Sequence, residues 1–156
     1  MAKAAESHTA QGGFVSGFVS ILGRPNTGKS TLLNALVGSK IAIVTDKPQT
    51  TRNRIQGVVH LPNAQIIFLD TPGIHKPDTK LNQRMMAQVK EALEGCDLLL
   101  LMVDASRTPG PDDDYALDIV RKAGTRAFLL PNKIDLLACK ESLLPLIERH
   151  SGLGLF

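Results

Sequence analysis

The sequence predicts an α/β fold of three layers: helices cover both faces of a mainly parallel sheet that carries one antiparallel hairpin strand at its edge. Three observations carry that expectation. Short apolar runs alternate along the chain with segments of helical period, a rhythm that implies right-handed crossovers between parallel strands. One of the runs ends on a carboxylate, Asp70, at the strand edge where open α/β sheets hold their ligands. The first run, Phe18 to Leu22, leads straight into Gly23-Arg24-Pro25-Asn26-Thr27-Gly28-Lys29-Ser30, and a helical pattern follows it.

Composition sets the frame for these elements. At 156 residues there is room for one domain with a substantial core. Hydrophobic residues at 43% and charged residues at 21% suit a soluble globular protein, and no apolar run is long enough to span a membrane. Residues 1–13 are small and polar without an apolar stretch, which predicts a disordered tail and no signal peptide; residues 14–156 form the folded domain. Cys96 and Cys139 fit no metal spacing and are expected as reduced thiols of a cytoplasmic protein. The net charge of +3 comes from scattered basic residues, so it permits a nucleic-acid partner without requiring one.

Each element has its own signal. Leu32, Leu33, Leu36 and Val37 recur at helical spacing, giving a first helix from Lys29 to Val37 that ends at Gly38. Residues 39–53 have no period and contain Pro48, so a loop that could order around a ligand is expected there. The segment from Arg54 to Leu61 alternates in polarity, Pro62-Asn63-Ala64 supplies a turn, and Gln65 to Leu69 is a buried strand delivering Asp70. A stripe of Leu81, Met85, Val89 and Ala92 or Leu93 predicts a second helix with its methionines in the core. Asp97 to Val103 is a buried strand with Asp104 at its end. Gly110-Pro111-Asp112-Asp113-Asp114 then opens a third helix, with three carboxylates at the positive end of its dipole; capping explains them better than a metal site. Ala127 to Leu130 is a fifth strand. A last helix starts near Ser142, with Pro145 in its first turn and Leu144 and Ile147 facing inward.

The chemistry lies in three segments. Gly23 to Ser30 reads G-x-x-x-x-G-K-S between a strand and a helix, the arrangement in which backbone N–H groups curl around a phosphate. Lys29 is expected to reach the β- and γ-phosphates and the Ser30 hydroxyl to hold Mg²⁺. Asp70-Thr71-Pro72-Gly73 places a second Mg²⁺ carboxylate, acting through water, beside a glycine whose N–H can meet a γ-phosphate. Asn132-Lys133-Ile134-Asp135 follows the fifth strand. An Asp135 carboxylate can accept from both N1–H and the exocyclic amine of guanine, a donor pair that adenine lacks. Asn132 can bind the opposite edge of the base or tie the loops together, and the Lys133 stem can cover the ring.

With these motifs in place, the sequence closely resembles the Era family of bacterial ribosome-assembly GTPases from about Phe14 to about His150. The matching segments are residues 23–38, Ile43 to Arg54, Asp70-Thr-Pro-Gly-Ile-His-Lys-Pro77 and Asn132 to Asp135. Pro48-Gln-Thr-Thr-Arg52 followed by residues 70–77 is what separates Era from its EngA-like and TrmE-like relatives. The resemblance implies a P-loop NTPase fold, GTP hydrolysis to GDP, and a nucleotide-dependent switch in assembly of the small ribosomal subunit and its 16S rRNA. Membrane association, if any, would be peripheral, and a monomer is expected. It also implies nucleotide contacts from Arg24, Pro25, Asn26, Thr27, Gly28, Lys29, Ser30 and Thr31. Thr50 and Thr51 would lie in a first switch, with Thr51 sensing γ-phosphate and Mg²⁺, and residues 70–80 in a second. Thr27 stands where the family usually has Val, and Pro131 replaces an apolar strand residue. The chain stops at Phe156, short of the family's fifth base-contacting segment and its RNA-binding KH domain. A G domain ending before its last strand is therefore expected, and a nucleotide-binding module with little turnover is the alternative to a working enzyme.

Water activation raises a separate expectation. Ile74 occupies the position where many GTPases place a Gln, and an alkyl group can orient no water. Catalysis would then rest on Lys29, Thr51, Gly73 and Asn26, the last as a candidate ligand for K⁺ near the transferring phosphate. The competing use of Asn26 is to brace the loop or contact the first switch.

Overall fold

The computed structural model describes residues 13–38, 55–69, 74, 93 and 95–156. Strand β1, Val15–Leu22, runs from an exposed beginning to four consecutive buried residues at its end. It lies in the middle of a five-stranded sheet of order β2-β3-β1-β4-β5, in which β2 is Ile55–Leu61, β3 Ala64–Leu69, β4 Leu98–Asp104 and β5 Ala127–Asn132. Strands β3, β1, β4 and β5 are parallel; β2 alone runs antiparallel, joined to β3 by the Pro62-Asn63 turn. The α/β architecture and its edge hairpin follow the sequence expectation.

Alternation along the strands sorts side chains onto two faces. Leu99, Leu101 and Val103 of β4 join Leu22 and Ile74 in one buried cluster, covered by Ala116, Leu117, Ile119 and Val120 of helix α2, Pro111–Ala123. Met102 joins Val19, Ile21 and Phe68 on the other face, covered by Leu33 and Val37 of helix α1, Lys29–Val37. These are the three layers. The approach of α1 to the sheet is close: a Cβ on Gly57 of β2 would lie 2.6 Å from Cγ2 of Val37. Leu36, by contrast, is 45% exposed on the outer side of α1.

The start of α2 uses its acidic residues for more than the dipole. Gly110 precedes Pro111 in an extended conformation, and Asp113 reaches back so that its Oδ2 accepts the Gly110 N–H at 2.8 Å. Asp113 is buried, whereas Asp114 pairs with Arg149 at 3.0 Å. Arg149 belongs to helix α3, Leu143–Ser151, with Pro145 in its first turn as expected. The inward face of α3 differs from the expectation. Leu144 is 58% and Ile147 43% exposed, while Leu146 packs on the core and His150 is 3% exposed, its Nδ1 2.7 Å from the Leu146 carbonyl oxygen. Leu143, Leu146, His150 and Leu153 follow a 3-4-3 spacing, so two adjacent stripes of α3 are rich in leucine and contact with the sheet selects between them.

Pro131 lies within β5, opposite Val103 of β4. A missing N–H is tolerated there because, among the described elements, β5 has a partner on one side only. The tail, residues 39–54, Asp70 to Gly73 and most of the expected second helix fall outside the described residues. From that helix Leu93 is described and buried in the core.

Candidate functional site

The phosphate loop starts where β1 ends, at the carboxyl edge of the sheet. Its shape rests on three residues with positive φ: Gly23 at 151°, Asn26 at 61° and Gly28 at 105°. A Cβ on Gly23 would run into the Met102 carbonyl oxygen, and one on Gly28 into the Asn132 side-chain amide. Both glycines are therefore fixed by close approach as well as by φ. The α1 ladder opens with the Leu32 N–H donating to the Gly28 carbonyl at 2.9 Å. The amides just before it lie at the positive end of the helix, where an anion is favoured.

Side chains close the loop from inside. Thr27, 1% exposed, donates its hydroxyl to the Arg24 carbonyl at 2.9 Å, a contact that the Val usual in this motif could not make. The Lys29 ammonium donates to the carbonyls of Gly23 at 2.9 Å and Arg24 at 2.7 Å. Burial pushes its pKa down to about 8, so Lys29 sits in the loop as a cation favoured by a second, negative partner. Arg24 turns away from the loop, its Nε 3.0 Å from Asp113 Oδ1. What residue 24 presents toward the loop interior is backbone, and its side chain fastens the loop to α2. Pro25 and Asn26 are exposed, as are Ser30 and Thr31 in the first turn of α1.

The Asn132-Lys133-Ile134-Asp135 segment meets this loop directly. Register pairs Asn132 with Asp104 at the ends of β5 and β4, and the Asn132 side-chain amide donates to the Thr27 carbonyl at 2.7 Å. Of the two uses open to Asn132, tying the loops together is the one seen. Lys133 is left-handed at φ 60° and leads into a 3-10 turn, Ile134–Leu136. Asp135 on that turn is exposed and open to a ligand. Lys133 Nζ donates to Asp104 Oδ2 at 2.7 Å. Burial alone would raise the Asp104 pKa, but Lys133 and two bonds from Ser106 hold it below the ordinary carboxylate range.

Ile74 shows why no water-orienting side chain stands at that position. It is fully buried among Leu22, Leu99 and Leu101, and its N–H donates to the Gly23 carbonyl at 3.1 Å. Residue 74 anchors the end of the Asp70–Gly73 segment to the phosphate loop. Thr50, Thr51, Asp70 and Gly73 lie outside the described residues. Sequence reasoning read Asp113 only as a helix-capping carboxylate, missing its pair with Arg24, and placed Asp104 at a strand end without a role; that strand-end position, the same signal that singled out Asp70, could have found Asp104.

The geometry therefore ties a strand-end glycine loop through Asn132 to the turn that carries Asp135, and comparison with known proteins decides its lineage. Residues 18–133 match the protein family described as 50S ribosome-binding GTPase. The chain belongs to that family. Within it, the chain is 50% identical over 143 residues to GTPase Era of Syntrophus aciditrophicus, covering 92% of this chain and 46% of that protein. It thus spans about half the length of the curated relatives it matches. A crystal structure of Era in complex with MgGDPNP and nucleotides 1506–1542 of 16S ribosomal RNA superposes with a TM-score of 0.74 at 41% identity, over 92% of this chain and 49% of that one. A variant of Era from Aquifex aeolicus bound to GDP.AlF4⁻ gives 0.71 at 41% identity, over 88% and 47%. The resemblance to Era and the P-loop fold read from the sequence stand. Among the described residues, no helix of this GTPase-family chain is long and apolar enough to cross a membrane.

Proposed function

We propose that this chain binds GTP and GDP, hydrolyses GTP to GDP and phosphate, and serves as a nucleotide-dependent switch in cytoplasmic assembly of the small ribosomal subunit. The observation that supports this most is the Asn132–Thr27 bond, which sets a guanine-reading segment against a phosphate-binding loop. The solved Era complexes support the partners, since one holds MgGDPNP with 16S rRNA and another GDP.AlF4⁻.

In this reading the amides from Asn26 to Ser30 and the Lys29 ammonium take the β- and γ-phosphates. Ser30 would hold Mg²⁺ together with Thr51 and, through water, Asp70, and a metal there would supply positive charge to the phosphate oxygens. Thr51 and Gly73 sense the γ-phosphate. Asp135 reads the guanine donors, and the Lys133 stem lies along the ring. The charge and buried position of Lys29 fit an anionic ligand, and the exposed Ser30 hydroxyl in the first turn of α1 fits a metal at its edge.

The test compares dissociation constants for GDP and ADP, then follows phosphate release from GTP over many turnovers in Mg²⁺. A large preference for GDP with sustained release supports the proposal. Tight GDP binding without release reduces the chain to a nucleotide-binding module, and equal affinity for GDP and ADP overturns the base assignment.

A further inference from the structure

Lys133 bears a side chain yet holds a left-handed backbone, with φ 60° and ψ 33°. Such a conformation persists where its surroundings over-determine it. Its backbone is held on both sides: the Asn132 carbonyl accepts the Ala105 N–H at 2.9 Å, and the Lys133 carbonyl accepts the Leu136 N–H at 3.0 Å. Its side chain is held at the far end, where the ammonium meets Asp104 Oδ2 at 2.7 Å.

Asp104 is aimed for this contact. Its Oδ1 accepts both the Ser106 N–H at 3.0 Å and the Ser106 hydroxyl at 2.6 Å, leaving Oδ2 turned to Lys133. Only 4% of the Asp104 side chain is exposed, so the carboxylate cannot wander. The second cation, Arg107, is 73% exposed and 3.8 Å away, too loose to replace Lys133. A lysine fixed at its backbone and at its ammonium has little freedom left between them. Its four methylenes then form a preset apolar wall, where an unpinned lysine would have to be ordered at the moment of binding. That wall lies two residues before Asp135, the residue that meets the edge of the base in the reading above, and directly after Asn132, which ties the turn to the phosphate loop.

We propose that Asp104 is a positioning residue for guanine recognition, pinning the Lys133 ammonium so that the Lys133 stem is preordered as the face on which the purine ring lies. This rests on the base assignment made above. It gives a use to a buried carboxylate whose side-chain partners among the described residues include Lys133, Ser106 and the loosely held Arg107, and it makes Ser106 part of the same device.

The experiment measures dissociation constants of GDP, ADP and inorganic pyrophosphate on the full chain, for the wild type, Asp104→Asn, Lys133→Met and the double variant. Pyrophosphate reports the phosphate loop without the base. Asp104→Asn is expected to weaken GDP about three- to tenfold while the pyrophosphate constant stays put, the range that follows from ordering one long side chain. In the Lys133→Met background, the same change is expected to have no further effect on GDP. Parallel losses of GDP and pyrophosphate binding, or additive losses in the double variant, would mean that Asp104 only stabilises the fold, and the proposal fails. Should Asp104→Asn not fold, Ser106→Ala removes one of the bonds aiming the carboxylate and keeps both charges; it must then lower the GDP-to-pyrophosphate selectivity, and unchanged selectivity overturns the proposal. A wild type that binds GDP no better than ADP defeats the base assignment itself, and that outcome is read before any variant is made.

Discussion

Nucleotide binding to this chain should take up a proton, and the group that takes it is Lys29. The ammonium is held in the phosphate loop by the Gly23 and Arg24 carbonyls, its partners among the described residues, and burial lowers its pKa to about 8. About one lysine in ten is then neutral at pH 7 and about three-quarters at pH 8.5. A β-phosphate beside Lys29 favours the charged form and raises its pKa well above that range. If only the charged form binds, GDP affinity falls with the protonated fraction, so the dissociation constant should rise about fourfold between pH 7 and pH 8.5. The stability of the nucleotide-free chain should move the other way. A cation whose folded pKa lies below its unfolded value of 10.5 disfavours the folded state fully below pH 8, and that penalty is relieved as pH rises from 8 toward 10.5. Titration calorimetry in buffers of different ionisation enthalpy reads the effect directly: about 0.8 proton taken up per GDP at pH 8.5 and about 0.1 at pH 7. Stopping at pH 8.5 keeps the guanine N1–H in place, and Lys29→Gln supplies the flat control. A GDP affinity independent of pH with no proton uptake would refute the argument that burial tunes Lys29 for a phosphate.

Gly28→Ala should cost about 2–4 kcal/mol in GDP binding, from strain at φ 105° and from loss of the Asn132–Thr27 bond to the new Cβ; a GDP dissociation constant within threefold of wild type would contradict it. Asp135→Asn should shift preference from GDP toward the xanthine nucleotide, whose C2 oxygen needs a donor, and full retention of guanine preference would show that residue 135 does not read the base. GTP hydrolysis should run faster in K⁺ than in Na⁺ at equal ionic strength, with Asn26→Ala erasing the difference and sparing GDP binding; equal rates in the two salts would leave Asn26 a loop brace.

What could be read from the sequence is what is local. The loop from Gly23 to Ser30, its strand before and its helix after were legible because the spacing of two glycines, a lysine and a hydroxyl determines which atoms can face a phosphate, whatever the rest of the chain does. The role proposed for Asp135 is local in the same way: it is a matter of donors and acceptors on one residue. Among the described residues, strand and helix positions followed from period within a residue or two at their ends, except that β1 starts at Val15, three residues before the Phe18 at which its apolar run begins. The order of the strands did not, because adjacency in a parallel sheet is made through crossovers that leave no mark on local pattern. Nor did the choice among equally apolar stripes of α3, where Leu146 and His150 face in and Leu144 and Ile147 face out. Tertiary structure alone joined Asn132 to Thr27, Lys133 to Asp104, Arg24 to Asp113 and the Ile74 amide to Gly23. Each of these contacts spans 29 or more residues of chain, and each joins a buried residue, Thr27, Asp104, Asp113 or Ile74, to a partner far away in sequence. Asp112, Asp113 and Asp114 look alike in sequence as helix-capping carboxylates. Only the packing of α2 beside the phosphate loop makes Asp113 the one that holds Arg24, since desolvation there favours the carboxylate that has a guanidinium within reach.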